Sequence, residues 1–197
     1  MNRAAIGFRV HSGWAAMVAV ALEDGLPVIL DRRKLQLVKT FSYAFRQPYH
    51  TAEKMPLGEA AEFVRGVENE SRELAHAGMS SLQKELEKLE YKICGCALLL
   101  ASGRSLPEFE KILASHAMIH TADGELFRNA IRHSSDRAKL PLDAIKEREL
   151  LATASKRLNK RPQFLNRHVA ALGKSLGPPW TADEKIATLA AWLALKS

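Results

Sequence analysis

The sequence predicts an α/β protein in which an antiparallel three-stranded unit opens a mixed sheet and helices pack on that sheet. Three observations predict this fold class. Short apolar runs separated by turn residues fill the first 40 positions, a long helical stripe covers residues 57–89, and another apolar run lies at 91–101. Apolar runs bounded by turns are typical of strands, whereas apolar residues three and four positions apart are typical of helices.

The opening strands are predicted at residues 4–10, 14–22 and 26–30. Asp24-Gly25 lies between the second and third runs and favours a tight hairpin, because both residues tolerate the positive φ angles of such turns. The second run is rich in alanine, which is a poor strand residue. Its small side chains predict a central hairpin that lies closely beneath helices.

The middle of the chain is interpreted as a connection, a helix and a strand. Residues 40–56 carry alternating aromatic residues between prolines and predict a short extra strand or an aromatic loop. The helix at 57–89 is predicted to break or kink near Gly78, since glycine weakens a helix interior. The run at 91–101 is apolar throughout and follows a helix, so we expect a buried parallel strand.

The second half of the chain is predicted to be mostly helical. Its elements are a helix at 116–133 that is interrupted near Gly124, a short strand at 140–145, and helices at 147–158, 164–176 and after 181. Thr181 and Glu184 have the spacing of a capping box at the start of the last helix. The chain contains no repeat, linker or low-complexity tract, which predicts a single domain over residues 1–197.

The composition is that of an ordinary globular protein, with 47% apolar and 26% charged residues among 197. No apolar run reaches the roughly 18 residues that suggest a membrane span, and the N-terminus lacks the layout of a secretory leader. The two cysteines, Cys94 and Cys96, alternate within a predicted strand, so we expect both on one face as ordinary buried thiols. These features predict a cytoplasmic protein without a membrane partner.

The net charge of +7 is unevenly distributed. The first 100 residues carry 13 Lys and Arg against 12 Asp and Glu, and the remainder carries 16 against 10. A basic half is compatible with nucleic acid or another polyanion, and equally with a solvated face on helices. The basic stretch from Lys156 to Lys174 is the best candidate surface, and Lys160 and Arg161 are its predicted binding residues.

The order of elements, together with the segment Ile6-Gly7-Phe8-Arg9-Val10-His11-Ser12-Gly13, resembles the ribonuclease H-like fold, which includes the Holliday-junction resolvases and the actin-like ATPases. The resemblance implies a glycine-hydrophobic-aspartate opening in the first strand and an acid on the last helix. Gly7 matches the glycine, and Asp183 lies where the resemblance implies the acid. Asp183 and Glu184 are also simply explained as residues that favour a helix start.

Arg9 stands where the resemblance implies the first catalytic aspartate, and the run at 91–101 carries no carboxylate at its end. Two-metal phosphodiester chemistry needs several carboxylates to hold cations about 3.5–4 Å apart. No pair of glycine-rich phosphate loops indicates ATP binding either. The sequence therefore predicts a non-catalytic or atypical member of the fold.

A second hypothesis is an enzyme that acts on a small phosphorylated or acidic molecule. His11, His120 and Glu125 are its candidate catalytic residues, with Ser12 and Arg128 as candidate binding residues, if the two histidine regions converge. Ser-Gly after His11 is also ordinary turn chemistry. Arg104, in a Ser-Gly-Arg loop after the apolar run, is a further candidate for binding phosphate, and a plain strand-to-helix connection explains it equally well.

His116 and His120 are four residues apart, which places them on one helical face where they can bind a metal. The sequence specifies no third ligand, so we predict no metal site and leave any cofactor open. Three functions remain: a nucleic-acid-binding domain of the ribonuclease H-like fold, the small-molecule enzyme, and a structural or protein-interaction domain. A broad positive face, a shared pocket of the two histidine regions, or neither would distinguish them.

Overall fold

A five-stranded sheet with the order β3-β2-β1-β4-β5 organises the protein, in a computed structural model that describes residues 1–101 and 105–196. The first three strands are antiparallel, and the last two run parallel to β1. This arrangement confirms the predicted mixed sheet with an antiparallel opening. The strands are β1 (Asn2–His11), β2 (Trp14–Glu23), β3 (Leu26–Gln36), β4 (Tyr91–Leu100) and β5 (Leu142–Lys146).

Helices cover both faces of the sheet. One face packs against α2, α3 and α5, and the other packs against α6, α7 and α8. A 3₁₀ turn, Glu147–Glu149, joins β5 to α6. The helices are α1 (Tyr43–Arg46), α2 (Pro48–Ala52), α3 (Leu57–Lys88), α4 (Phe109–Leu113), α5 (His116–Arg137), α6 (Leu150–Leu158), α7 (Pro162–Leu176) and α8 (Ala182–Ala194).

The segment 40–56 contains two short helices, α1 and α2, so the predicted extra strand was wrong, whereas its aromatic residues Phe45 and Tyr49 pack on the core as the alternative prediction had it. Phe45 lies in α1 and Tyr49 lies in α2. Phe45 packs against Phe63 of α3, and Tyr49 packs against Phe109 of α4, each with ring centroids 5.9 Å apart. These ring contacts hold the two short helices against the neighbouring helices.

Helix α3 runs without a break, so the kink predicted near Gly78 was also wrong. A Cβ atom at Gly78 would lie 2.2 Å from Cδ1 of Leu35. The glycine therefore lets β3 approach the helix closely, and the packed stripe outweighs its weak helix propensity. Helix α5 is likewise continuous through Gly124, where an interruption was predicted.

A β-bulge places the two cysteines on opposite faces of the sheet, which corrects the expectation that they share one. Ala4 pairs with Ile93 but Ala5 pairs with Gly95, so Cys94 is the extra residue in β4. Cys94 packs on the α8 side and Cys96 on the α3 side. Burial raises the pKa of the Cys96 thiol to about 12, so it remains protonated and unreactive at neutral pH. None of the described helices is long and apolar enough to span a membrane.

Candidate functional site

Gly7 positions the last helix over the centre of the sheet. A Cβ atom at Gly7 would lie 1.9 Å from the carbonyl oxygen of Ala187 and 2.8 Å from the nitrogen of Ala191. Only glycine permits this approach of α8 to β1. Arg9 lies two residues farther along β1 and faces the same side. Asp183 lies one helical turn before Ala187, so the packing brings it to Arg9.

Arg9 bridges two carboxylates that lie far away in sequence. Its Nε donates to Oε2 of Glu147 at 3.1 Å and its Nη2 donates to Oε1 at 2.7 Å, which is a bidentate pair. Its Nη1 donates to Oδ1 of Asp183. The side chains of Arg9, Glu147 and Asp183 are 23%, 40% and 20% exposed. The guanidinium thus joins β1, the end of β5 and the start of α8; we call these three residues the Arg9 bridge.

The guanidinium of Arg9 keeps its positive charge. Burial alone would lower the pKa of Arg9, but the hydrogen bonds and charges of Glu147 and Asp183 outweigh it and raise that pKa above its ordinary value. Oδ1 of Asp183 also lies 2.9 Å from Nε2 of His11. The His11 ring stacks on Trp14 with centroids 4.4 Å apart. Asp183 is therefore held between a guanidinium and an oriented imidazole.

These residues do not fit the pair of metal ions that the ribonuclease H-like fold implies. Both carboxylate oxygens of Glu147 and one of Asp183 already accept hydrogen bonds from Arg9. A divalent cation at these oxygens would lie beside a guanidinium that cannot lose its proton. Glu184 is used elsewhere, since its Oε2 accepts from the nitrogen of Thr181 at 2.7 Å and completes the predicted capping box.

An open, largely apolar groove of about 600 Å³ begins at the Arg9 bridge. Glu147 lies at one end of its lining, and Leu151, Asn166 and Ile186 bring in α6, α7 and α8. Asn166 is next to Arg167 on α7. The groove therefore extends from the Arg9 bridge to α7, the helix that carries Arg167.

The predicted basic stretch forms a surface on α6, α7 and the turn between them. Four of its cations are exposed, Lys160 is half-buried, and the part of the chain that the structure describes places no carboxylate in an ion pair with any of the five. Arg157 differs, because it pairs with Asp143 at 2.5 Å. The α6–α7 basic surface consists of Lys156, Lys160, Arg161, Arg167 and Lys174.

An exposed aromatic ring lies within the α6–α7 basic surface. Phe164 is 36% exposed, and its ring stacks on His168 with centroids 5.6 Å apart. Nζ of Lys160 lies 4.9 Å from the centroid of the Phe164 ring. Burial and the charge of Lys160 lower the pKa of His168, so that its ring is neutral at pH 7. A flat ring next to cations is the arrangement on which nucleic-acid bases stack.

The residues of the predicted small-molecule site have separate partners. His11 contacts Asp183, whereas Nε2 of His120 lies 3.1 Å from Nε2 of His116. Glu125 accepts hydrogen bonds from Arg128 at 3.0 Å and from Arg132 at 3.2 Å. His120 and Glu125 are five residues apart, which places them about 140° apart around the helix axis. The described contacts thus do not gather these residues into one acid–base cluster.

The two remaining predicted site residues are Ser12 and Arg104. The carbonyl oxygen of Ser12 accepts a hydrogen bond from Nε of Arg46 at 3.3 Å, which fixes the turn after β1. Arg104 lies outside the described residues, so its predicted phosphate contact stays a prediction.

Sequence reasoning missed Glu147 and His50. Glu147 directly follows β5, and the carboxyl end of a parallel strand is a signal that identifies such a residue. His50 lies in α2, where its ring contacts His116 and His120, with centroids 5.4 and 4.4 Å away. No local pattern links His50 to α5, because the contact depends on how α2 packs.

The comparisons with known proteins concern the fold. No family model matches the sequence, and no curated protein is significantly similar to it. The structure is similar to that of Thermus thermophilus RuvC, with a TM-score of 0.54 and 10% identity over 98% of this chain and 93% of that one. T. thermophilus RuvC in complex with a Holliday junction substrate gives a TM-score of 0.54 and 9% identity over the same shares.

The yeast mitochondrial Holliday junction resolvase Ydc2 gives a TM-score of 0.46 and 11% identity over 98% of this chain and 76% of that one. The likeness to RuvC identifies the class: the protein has a ribonuclease H-like fold, as the sequence predicted. Within that class, its fold is similar to that of T. thermophilus RuvC.

Proposed function

We propose that this protein is a non-catalytic nucleic-acid-binding domain with the resolvase architecture. The observation that carries the proposal is the Arg9 bridge, in which a guanidinium stands among the carboxylates at the carboxyl end of β1. Acids that an arginine engages are not free to hold metal ions, so a fold with this bridge is suited to binding a phosphate backbone without cutting it.

The non-catalytic part follows from charge and geometry. Metal-assisted phosphodiester hydrolysis needs carboxylate oxygens that are free to hold cations on both sides of the scissile phosphate. In the Arg9 bridge, Glu147 offers both oxygens to one guanidinium. Arginine is a fixed point of positive charge here and generates no nucleophile, because it has no acceptor atom and does not deprotonate.

The binding part is supported by the α6–α7 basic surface. Arg167 and Lys174 lie seven residues apart on the outer side of α7, which corresponds to about 10.5 Å along the helix axis. Phosphates of one DNA strand recur about every 3.4 Å of helix axis, so this separation corresponds to about three nucleotides. Phe164 adds an exposed ring beside these cations on which a base can stack. The T. thermophilus RuvC structure with a Holliday junction substrate makes branched DNA the first ligand to test.

The experiment is a fluorescence-anisotropy titration with single-stranded, double-stranded and four-way-junction oligonucleotides at two salt concentrations. We expect binding that weakens steeply with salt. The double variant Lys160→Ala/Arg161→Ala should bind less tightly, and removing two phosphate contacts should reduce the slope of log K against log salt by about 1.8.

A charge-matched control is Lys54→Ala/Lys84→Ala. Both lysines are exposed and lie away from α6 and α7, and Lys84 belongs to α3 on the opposite face of the sheet. This double variant should bind as the wild type does. Absence of binding at low salt, or an equal loss in both double variants, would contradict the binding part of the proposal.

The catalytic part is tested separately with the same junction in Mg²⁺ or Mn²⁺. We expect the wild type to leave the junction intact while it binds it. Cleavage by the wild type that disappears in Asp183→Asn would contradict the non-catalytic part, and the asparagine variant excludes a contaminating nuclease as the source.

A further inference from the structure

Three histidines from two helices meet at one point, on the side of the sheet opposite α8. His116 and His120 lie in the first turns of α5, and His50 comes from α2. One ring nitrogen of each lies within 4.8 Å of the others. The Nε2 atoms of His116 and His120 are 3.1 Å apart. We propose that these three residues, which we call the His cluster, bind one divalent transition-metal ion and leave a coordination position open to solvent.

The distance between His116 and His120 suits a tetrahedral ion. Zn–N bonds of about 2.0–2.1 Å at tetrahedral angles separate ligand nitrogens by about 3.3–3.4 Å. The separation between His116 and His120 is within a few tenths of an ångström of this value. The spacing of four residues gives both rings the same helical face, and the T-shaped packing of His50 on His120 directs the third ring to the same point.

Asp123 supplies the outer-sphere contact that metal-binding histidines usually have. Its Oδ2 lies 2.5 Å from Nδ1 of His50, and its Oδ1 accepts from the backbone nitrogen of Tyr49 at 2.7 Å. Asp123 is 4% exposed and is therefore fixed in place. With Nδ1 of His50 engaged by the carboxylate, Nε2 is the nitrogen that remains for a metal. A carboxylate on the second nitrogen sets the tautomer and orients the ligand.

The donor set indicates the class of metal. Imidazole nitrogens favour Zn²⁺ and neighbouring transition-metal ions, whereas Mg²⁺ and Ca²⁺ favour oxygen ligands. His116 and His120 are exposed and the His50 side chain is 10% exposed, so the fourth position faces solvent. Three protein ligands with an open position are typical of zinc sites that hold a water molecule or an external ligand.

The dipole of α5 is the main effect that disfavours metal binding at the His cluster. The positive end of α5 lies at His116 and disfavours a cation there. The carboxylate of Asp123 lies on the same helical face, one turn after His120, and offsets it. This inference depends on neither the Arg9 bridge nor the α6–α7 basic surface, so it stands or fails apart from the proposed function.

The test is a titration of the chelator-stripped full chain with Zn²⁺ in competition with a chromogenic chelator. We expect one Zn²⁺ per chain. The exposed His116→Ala and His120→Ala variants should each bind at least about 100-fold more weakly, because losing a ligand exceeds the 10–100-fold effect of losing an outer contact. Co²⁺ in the wild type should give the intense visible absorption of a tetrahedral site.

His133→Ala is the matched control, since His133 is exposed and lies on the same helix outside the His cluster. It should bind Zn²⁺ as the wild type does, and circular dichroism should give the same helix content for all variants. No Zn²⁺ binding by the wild type, or binding that survives the double variant His116→Ala/His120→Ala, would overturn the inference.

Discussion

The Arg9 bridge and the His cluster both consist of side chains that can hold metal ions. They differ in the source of the positive charge that contacts those side chains. In the Arg9 bridge the donors are carboxylates, and the cation is a guanidinium of the chain itself. In the His cluster the donors are imidazole rings beside a buried carboxylate, and within the described residues no lysine or arginine forms an ion pair with that carboxylate.

The difference shows that the position where this fold usually holds metal ions is separate from the position where we propose that this chain binds one. The Arg9 bridge lies on the face of the sheet that packs against α8, and the His cluster lies on α5 at the opposite face. A covalently attached cation makes the first site insensitive to metal. The second site has ligands whose occupancy depends on metal availability.

The largest expected effect comes from Gly7→Ala, which separates the two sites. The added Cβ would meet the backbone of α8 at 1.9 Å, and backbone cannot move away as a side chain can. We expect a loss of about 3 kcal/mol or more in the free energy of unfolding, measured by urea denaturation. Any folded fraction should retain Zn²⁺ binding, because the His cluster does not contact α8.

Gly66→Ala makes the same chemical change on the exposed side of α3, where no atom lies within 4 Å of the added Cβ. It should stabilise the protein by about 0.4–1 kcal/mol. Equal effects of the two substitutions would contradict the role given to Gly7.

The next effect is expected from Arg9→Met, which leaves Glu147 and Asp183 without their shared cation. Unpaired, partly buried carboxylates predict a loss of about 3 kcal/mol in urea denaturation. Arg33→Met is the control. Arg33 also holds two carboxylates, Asp31 and Glu85, but at the outer edge of the sheet, where such pairs contribute up to about 1 kcal/mol. A smaller loss for Arg9→Met than for Arg33→Met would contradict the comparison.

A somewhat smaller effect is expected from Asp123→Ala at the His cluster. The substitution leaves the backbone N–H of Tyr49 without its acceptor and releases the ring of His50. We expect a loss of about 2 kcal/mol in the free energy of unfolding. Zn²⁺ affinity should fall about 10–100-fold in the same variant, measured by chelator competition. Unchanged affinity would indicate that His50 is oriented by other contacts.

The smallest expected effect is the acid dependence of the Arg33 pair. Hydrogen bonds from Arg33 and Ser81 lower the pKa of Glu85 from 4.5 to about 2 in the folded chain. A lowered folded pKa means that this stabilisation is present above pH 4.5 and is lost as the pH falls toward 2. The stability difference between the wild type and Glu85→Gln should therefore be constant near neutral pH and shrink over that range. A difference that grows on acidification would contradict this assignment.

Much of the fold could be predicted from the sequence because its signals are local. The Asp24-Gly25 turn, the long stripe of α3 and the capping box of Thr181 each lie within a short window, and each has its predicted form. Predictions that rested on a single local residue were less successful. Gly78 suggested a kink, but the packing of Leu35 on α3 decided its role.

The sequence by itself determined the strands and helices, the basic second half and the presence of arginine where the fold resemblance implies an acid. Only the tertiary structure decided which side chains meet. Glu147 lies 138 residues from Arg9, and His50 lies 73 residues from Asp123. Contacts between such distant residues depend on the register of the strands and on how closely the helices approach the sheet, as at Gly7 and at the bulge beside Cys94. Those quantities are properties of the packed core and leave no periodic signal in the chain.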